Sequence, residues 1–311
     1  VVGIVLGVYI GTIVLLNIPN IQQAMSVFVA EELSEVLNTK VVIGRINMGL
    51  LNRIIIDDVL LDDQSGQEML KVTRLSAKFD IMPFFKGKIS ISSVQLFGFN
   101  INLRKETPDS PPNFKFVLDA FASKDTVKKE NSLDLRINSI LIRRGRMSYH
   151  VLSEEETPGK FNAKHIQLQN IIANISLKAL SKDSLNLGIK RLSLDEKASG
   201  FSLKKMSLKL VANDKQTNID NFTIELPETS LKLDTIHLEY DSLKAFDRFT
   251  EQVHFSFRTL PSQVTLKDIS PFVPILSHFK EPVTLDMEVK GTVDQLTCSH
   301  LEITADDRQF R

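Results

Sequence analysis

Beyond residue 38 the chain reads as a run of short segments in which apolar and polar side chains alternate. Alternation gives each strand one apolar face, and that face has to leave water. A second sheet covers it in a sandwich, and helices cover it in an α/β protein. Patterns for long covering helices are scarce in this sequence. It therefore predicts a mainly β fold and poses the question of what lies against the apolar face.

Composition narrows the answers. Apolar residues make up 42% of 311, enough for a sizeable buried surface and against disorder. Lys+Arg and Asp+Glu are each 38, so no net charge draws in nucleic acid. With 19 Phe, 3 Tyr and no Trp, the chain lacks the usual stacking residues of a carbohydrate or single-strand platform. The one cysteine, Cys298, excludes an internal disulfide and a cysteine-based zinc site.

The first 18 residues carry no charge. At about 1.5 Å per residue such a run just crosses a hydrocarbon core, so residues 1–19 are expected to form a transmembrane helix. A cleaved signal peptide competes, but its apolar core is usually shorter and no A-x-A site follows Ile18. Gly3, Gly7 and Gly11 repeat the G-x-x-x-G spacing that lets membrane helices approach closely. The abrupt start at Val1 and the strand-like stretch at 301–304 suggest that the natural protein extends at both ends.

Residues 20–38 form an amphipathic helix capped by Asn20, with Ile21, Met25, Phe28, Val29, Leu33, Val36 and Leu37 on one face. Strands are expected at 42–48, 54–61, 72–81 and 89–103. An insertion at 104–132 interrupts them, holding a short helix capped by Asn113 with Phe114, Val117, Leu118 and Phe121 along a stripe. About nine more strand segments follow between 133 and 266. A second short helix at 270–280 places Phe272, Ile275, Leu276 and Phe279 on one face, with Pro271 in its first turn.

One spacing recurs: apolar residues at i, i+2, i+5 and i+7. It appears as Ile89, Ile91, Val94 and Leu96; Leu187, Ile189, Leu192 and Leu194; Phe201, Leu203, Met206 and Leu208; and Leu231, Leu233, Ile236 and Leu238. Chance gives about one such match at this composition. Within a single strand the spacing needs an extra residue, a β-bulge, to keep the four side chains on one face. Split over two strands it needs a tight turn. The intervening pairs (92–93, 190–191, 204–205 and 234–235) hold no Gly, Pro or Asn, which favours the bulge. Repeated bulges curl a sheet.

The search for catalytic chemistry finds none. His150, His165, His237, His254, His278 and His300 are scattered, with no metal-ligand spacing among them. Each reads as a structural or surface residue. Asp57, Asp58, Asp62 and Asp63 lack the spacing of a calcium loop and read as a solvated turn and strand edge. Arg143, Arg144, Gly145 and Arg146 read as a hairpin turn, and the run 154–156 as a loop. No catalytic residue, metal ligand or cofactor is expected.

Residues 33–103 carry a family resemblance. LNTKVVIG at 37–44, GLLNRIIIDDV at 49–59, DDQSG at 62–66, IMPFFKGKI at 81–89 and LFGFNINL at 96–103 resemble the N-terminal region of the AsmA-like superfamily, most closely its TamB members. VKGTV at 289–293 resembles their recurring strand ending. These motifs are degenerate, and TamB proteins are much longer, so nothing about their C-terminal domain carries over. The resemblance implies an elongated, curved, U-shaped β-sheet groove, a β-taco, over 39–311, with an N-terminal transmembrane helix and short capping helices. It also implies a single-pass protein of the bacterial inner membrane whose bulk lies in the periplasm. Such a protein carries phospholipid between inner and outer membrane and works with a TamA-like outer-membrane barrel protein.

Lipid also fits the physics. Each CH₂ of an acyl chain costs about 0.8 kcal/mol to expose, so a two-chain lipid faces roughly 20 kcal/mol on leaving a bilayer. A continuous apolar groove lined by the recurring residues removes most of that cost without any catalytic group. The competing readings are an ordinary sandwich or barrel core, and a scaffold that templates outer-membrane proteins by β-augmentation. A leucine-rich-repeat horseshoe fails for want of a steady period.

Overall fold

The protein, seen as a computed structural model, is described over residues 2–49, 52–80, 89–121, 133–134, 138–181, 184–305 and 308–310. It is mainly β, and its chain divides into two compact units. One comprises Val1–Glu156 and Ala163–Asn170, the other Thr157–Asn162 and Ile171–Arg311. The motif at 81–88 and residues 122–132 of the insertion lie outside the described residues.

The first unit opens with α1 (Val2–Leu16) and α2 (Pro19–Leu37). Strands β1 (Val41–Gly49), β2 (Arg53–Asp62), β3 (Glu68–Phe79) and β4 (Ile89–Lys105) then form an antiparallel meander. The short helix α3 (Lys115–Phe121) follows. The two-residue β5 (Leu133–Asp134) and the longer β6 (Ser139–Val151) both run parallel to β4. Parallel pairing requires a crossover, and the insertion provides it.

A transverse line crosses this sheet. By register, Gly44 of β1 lies opposite Asp58, which lies opposite Thr73, then Gly98, then Arg144 of β6. Asp58, Gly98 and Arg144 all have positive φ, at 56°, 64° and 56°. A left-handed residue breaks the two-residue alternation once. On either side of the line the apolar residues therefore fall at i, i+2, then i+5, i+7. Residues that straddle the line keep this spacing, whereas the Ile89–Leu96 quartet stops short of Gly98 and is rephased separately at Ser92. The same spacing occurs across the line in β1 as Val41, Ile43, Ile46 and Met48 and in β3 as Leu70, Val72, Leu75 and Ala77. Gly44 has to be small because a β-carbon there would come within 2.9 Å of the Asp58 β-carbon.

Several expectations are corrected. Arg143–Arg146 is no hairpin turn: it lies inside β6, with the Arg144 guanidinium 5.1 Å from the Phe97 ring centre. Asn20 is not the cap of α2. The helix starts at Pro19 behind Ile18, because proline's missing N–H costs nothing in a first turn. Phe28 and Val36 of its expected apolar face are exposed, while Gln22 and Ser26 are buried. Asn113 does not cap α3. Its side chain instead accepts from Arg104 N–H (3.0 Å) and donates to Asp63 and to the Asn102 carbonyl.

In the first unit, α2 and α3 gather a core of Leu37, Val41, Ile43, Ile46, Leu61 and Met69. A polar chain ties the helices to the sheet. Asn17 donates to the Met48 carbonyl (2.9 Å), Gln22 to Asn17 and to Asn47 (2.6 Å), and Asn47 to Asp57, which accepts from Arg74 (2.6 Å). Asp57 and Asp63 are both buried, so neither belongs to a solvated turn. No single described helix is long and apolar enough to cross a membrane. Residues Ile10–Leu16 and α2 together have the length and composition, as a pair bent by 71°. Nothing lies within 4 Å of a β-carbon added at Gly7 or Gly11, so no described element packs there.

Strand β7 (His165–Ser181) contributes to both units. In the second unit, β8 (Ser184–Glu196), β9 (Ser202–Asn213) and β10 (Gln216–Glu225) form a meander. β11 (Ser230–Leu233) and β12 (Ile236–Glu239) both pair with β10. The ladder continues through β13 (His254–Arg258), β14 (Ser262–Val264), β15 (Val283–Gly291), β16 (Leu296–Ala305) and β17 (Arg308–Phe310). The α4 turn (Phe249–Gln252) stands between β12 and β13. No α-helix forms over 270–280. Two 3-10 turns, Leu266–Ile269 and Pro274–His278, replace it, since Pro274 has no N–H to continue an α-helical ladder.

Candidate functional site

The candidate site is the apolar side of the two ladders. Opposed residues of an antiparallel pair project on the same side, so register shows which side chains form a row. In the first unit the row Ile46, Ile56, Leu75, Leu96 is continued by Ile142 of β6. The next row is Met48, Ile54, Ala77, Val94 and Ile140. Toward the end of the strands near α2, Val41, Ile43, Leu61, Val72 and Phe99 are buried. Toward the other end, Met48, Ile54, Ala77, Val94 and Ile140 are all partly exposed. The helices thus cap one end of an apolar face that stays accessible at the other.

Three of the four spaced quartets behave as bulged strands. β4 skips a residue against β3 between Ser93 and Ile91, β8 skips between Ile189 and Leu192, and β9 skips between Leu203 and Met206. The fourth differs. Leu231 and Leu233 lie in β11, Ile236 and Leu238 in β12, and both pair with β10 in unbroken register. The irregularity sits instead in β10 against β9, where Asn221 has φ 53°. An Asn tolerates that conformation, so neither a bulge in the quartet nor a tight turn is required.

The rows of the second unit follow. Leu187, Leu210, Ile219 and Ile236 form one, and Leu192, Met206, Ile224 and Leu231 another. Ile189 pairs with Leu208, Phe222 with Leu233, and Leu194 with Leu203. Leu203 and Leu233 are buried; Ile91, Val94, Leu96, Leu187, Ile189, Leu192, Leu194, Met206, Leu208, Leu231, Ile236 and Leu238 are all partly exposed. Phe201 precedes β9 and packs in an aromatic group, 5.0 Å from Phe272, which lies 4.8 Å from Phe161. Ile89 pairs with Leu133, but its side chain lies outside the described residues.

No family model and no curated protein matches the chain. Polar chemistry is concentrated elsewhere. Asp63 Oδ1 accepts from Ser65 and from the Gln67 N–H, while Asp63 Oδ2 lies 2.7 Å from the Arg104 guanidinium. Burial pushes this carboxyl up, but the hydrogen bonds from Ser65, Asn113 and the Gln67 and Ser65 backbones outweigh it and hold the carboxyl below its ordinary value. Two histidines that are scattered in sequence, His150 and His165, meet in space. They meet where the Val151 N–H bonds the Lys164 carbonyl and joins the ends of β6 and β7, so spacing alone gave no signal.

Proposed function

We propose that the chain shields lipid acyl chains along its apolar β face and serves as part of a bridge between two membranes. The observation that carries this reading is a partly exposed apolar face in each unit: rows in register, capped by helices at one end in the first unit and half-exposed in the second. A half-exposed Leu or Ile row costs free energy in water, about 25 cal/mol per Å² left uncovered. An acyl chain laid along it recovers that energy and its own, while the head group stays in water.

The finer picture is a curved, U-shaped groove of the TamB kind. It would be anchored by the N-terminal helices at the bacterial inner membrane, with phospholipid as cargo and a TamA-like barrel protein at the far end. The rephased strands support curling, since each left-handed residue or bulge adds local twist. The uncharged first 18 residues support the anchor.

A photo-crosslinking residue at Leu192, partly exposed on the apolar face, tests this in the whole protein in its membrane. Lipid adducts are expected there and not from Lys209 on the opposite side. Protein adducts alone at Leu192 would overturn the conduit in favour of a scaffold for β-augmentation.

A further inference from the structure

Strands β6 and β7 end and begin on a pair of histidines. His150 is the last residue but one of β6, and His165 opens β7. The Val151 N–H donates to the Lys164 carbonyl (2.9 Å), which closes the two strand ends and leaves 152–164 as a loop. That loop brings Glu156 to the pair. The Nδ1 atoms of His150 and His165 are 3.0 Å apart, and Glu156 Oε1 is 3.9 Å from His150 Nδ1. One ligand atom from each of the three residues lies within 4.8 Å of the other two.

The tautomer of His165 follows from its partners. Its Nε2 sits 2.9 Å from the Glu154 carbonyl oxygen, which can only accept, so Nε2 carries the hydrogen. In the neutral ring Nδ1 then presents a lone pair, aimed at His150. A backbone carbonyl holding the far N–H is the support that metal-bound histidines usually have. His165 is also buried, so its ring is held in place.

We propose that His150 Nδ1, His165 Nδ1 and the Glu156 carboxylate bind one divalent transition-metal ion of the zinc type. Two nitrogens at about 2.0–2.1 Å from a tetrahedral ion sit about 3.3 Å apart, close to the spacing of the pair. Two imidazoles and one carboxylate suit zinc better than calcium or magnesium, which take oxygen ligands. Glu154 and Glu155 precede Glu156 in the loop, and Lys164 pairs with Glu154 at 2.7 Å, which offsets its positive charge beside the site. Glu156 is exposed and His150 partly so, which leaves water to complete the coordination. Binding displaces the Nδ1 hydrogen of His150, whose ring takes up a proton at Nε2 from water. The ion pins the 152–164 loop across the joined strand ends. This site is independent of the lipid reading.

The whole chain, stripped with a chelator, is titrated with Co²⁺ and then Zn²⁺. One equivalent of Co²⁺ is expected to give visible d–d bands that Zn²⁺ abolishes. Loss of an outer-shell partner alone costs about 10- to 100-fold in affinity, so His150→Ala and Glu156→Gln should each cost at least that. Both positions are solvent-accessible, and circular dichroism checks that these variants fold. His237→Ala, in the other unit, should bind as the parent does. Absence of binding, binding unchanged in both site variants, or equal weakening by His237→Ala would overturn the proposal. The pair would then be a plain hydrogen bond from His150 to His165.

Discussion

Gly98 lies against Thr73 so closely that a β-carbon on the glycine would come within 2.7 Å of the threonine hydroxyl oxygen and 3.0 Å of its β-carbon. Gly98 also has φ +64°, on the line where the strands of the first unit are rephased. Conformation and space both demand glycine here. Gly98→Ala is expected to destabilise by about 2–4 kcal/mol, combining the left-handed penalty with overpacking. Gly66→Ala is the matched comparison, with φ +76° but nothing within 4 Å. It should cost only about 1 kcal/mol. Equal losses in urea denaturation would refute the crowding at the line.

Asp63 gives stability a pH dependence of defined sign. Its carboxyl is held below the ordinary value in the folded state despite burial, which acts the other way. The folded state therefore binds that proton less readily than the unfolded chain. Its contribution is present in full above the unfolded pKa of about 4 and is lost as pH falls through the lower folded value. The melting temperature should drop on acidification below about pH 4, and Asp63→Asn should lower it at neutral pH while flattening the acid limb. An unchanged acid limb in Asp63→Asn would place the effect on another carboxyl.

Gln22 links the first helix to the sheet through Asn17 and Asn47. Gln22→Ala is expected to cost about 1–2 kcal/mol, because it removes a buried amide and leaves its half-buried partners Asn17 and Asn47 without it. Amide exchange should rise at 10–18 in the same variant. Gln23→Ala, at an exposed neighbouring position, should change neither; if both variants loosen α1 alike, the polar chain is not what holds it.

Leu208 pairs with Ile189 in the second unit and is partly exposed. Leu208→Asp should leave the circular dichroism spectrum unchanged and cut lipid adducts from Leu192 by about tenfold or more, since an unpaired carboxylate is costly against acyl chain. Undiminished lipid capture by a folded Leu208→Asp protein would remove the apolar face from the lipid path.

Much of the fold is legible because alternation and bulge spacing are local. Ile91, Val94, Leu96, Leu192 and Met206 fall on bulged strands as their spacing requires. The Leu231–Leu238 quartet misled because two short strands on one partner leave the same spacing as one bulged strand. The helix expected over 270–280 had the right apolar period, but the N–H missing at Pro274 outweighed it. The acidic run around Asp57 read as solvent-facing because the basic partner Arg74 lies on the next strand, 17 residues away.

The sequence by itself determined that the chain is mainly β and that its strands carry rephased apolar rows, since both follow from the periodicity of neighbouring residues. Tertiary structure alone decided that the rephasing points align from Gly44 to Arg144. It also decided that α2 and α3 cover one end of the face, and that His150 meets His165. Each of these is a register between segments distant in the chain, and register is set by packing and hydrogen bonding across strands, on which local spacing is silent.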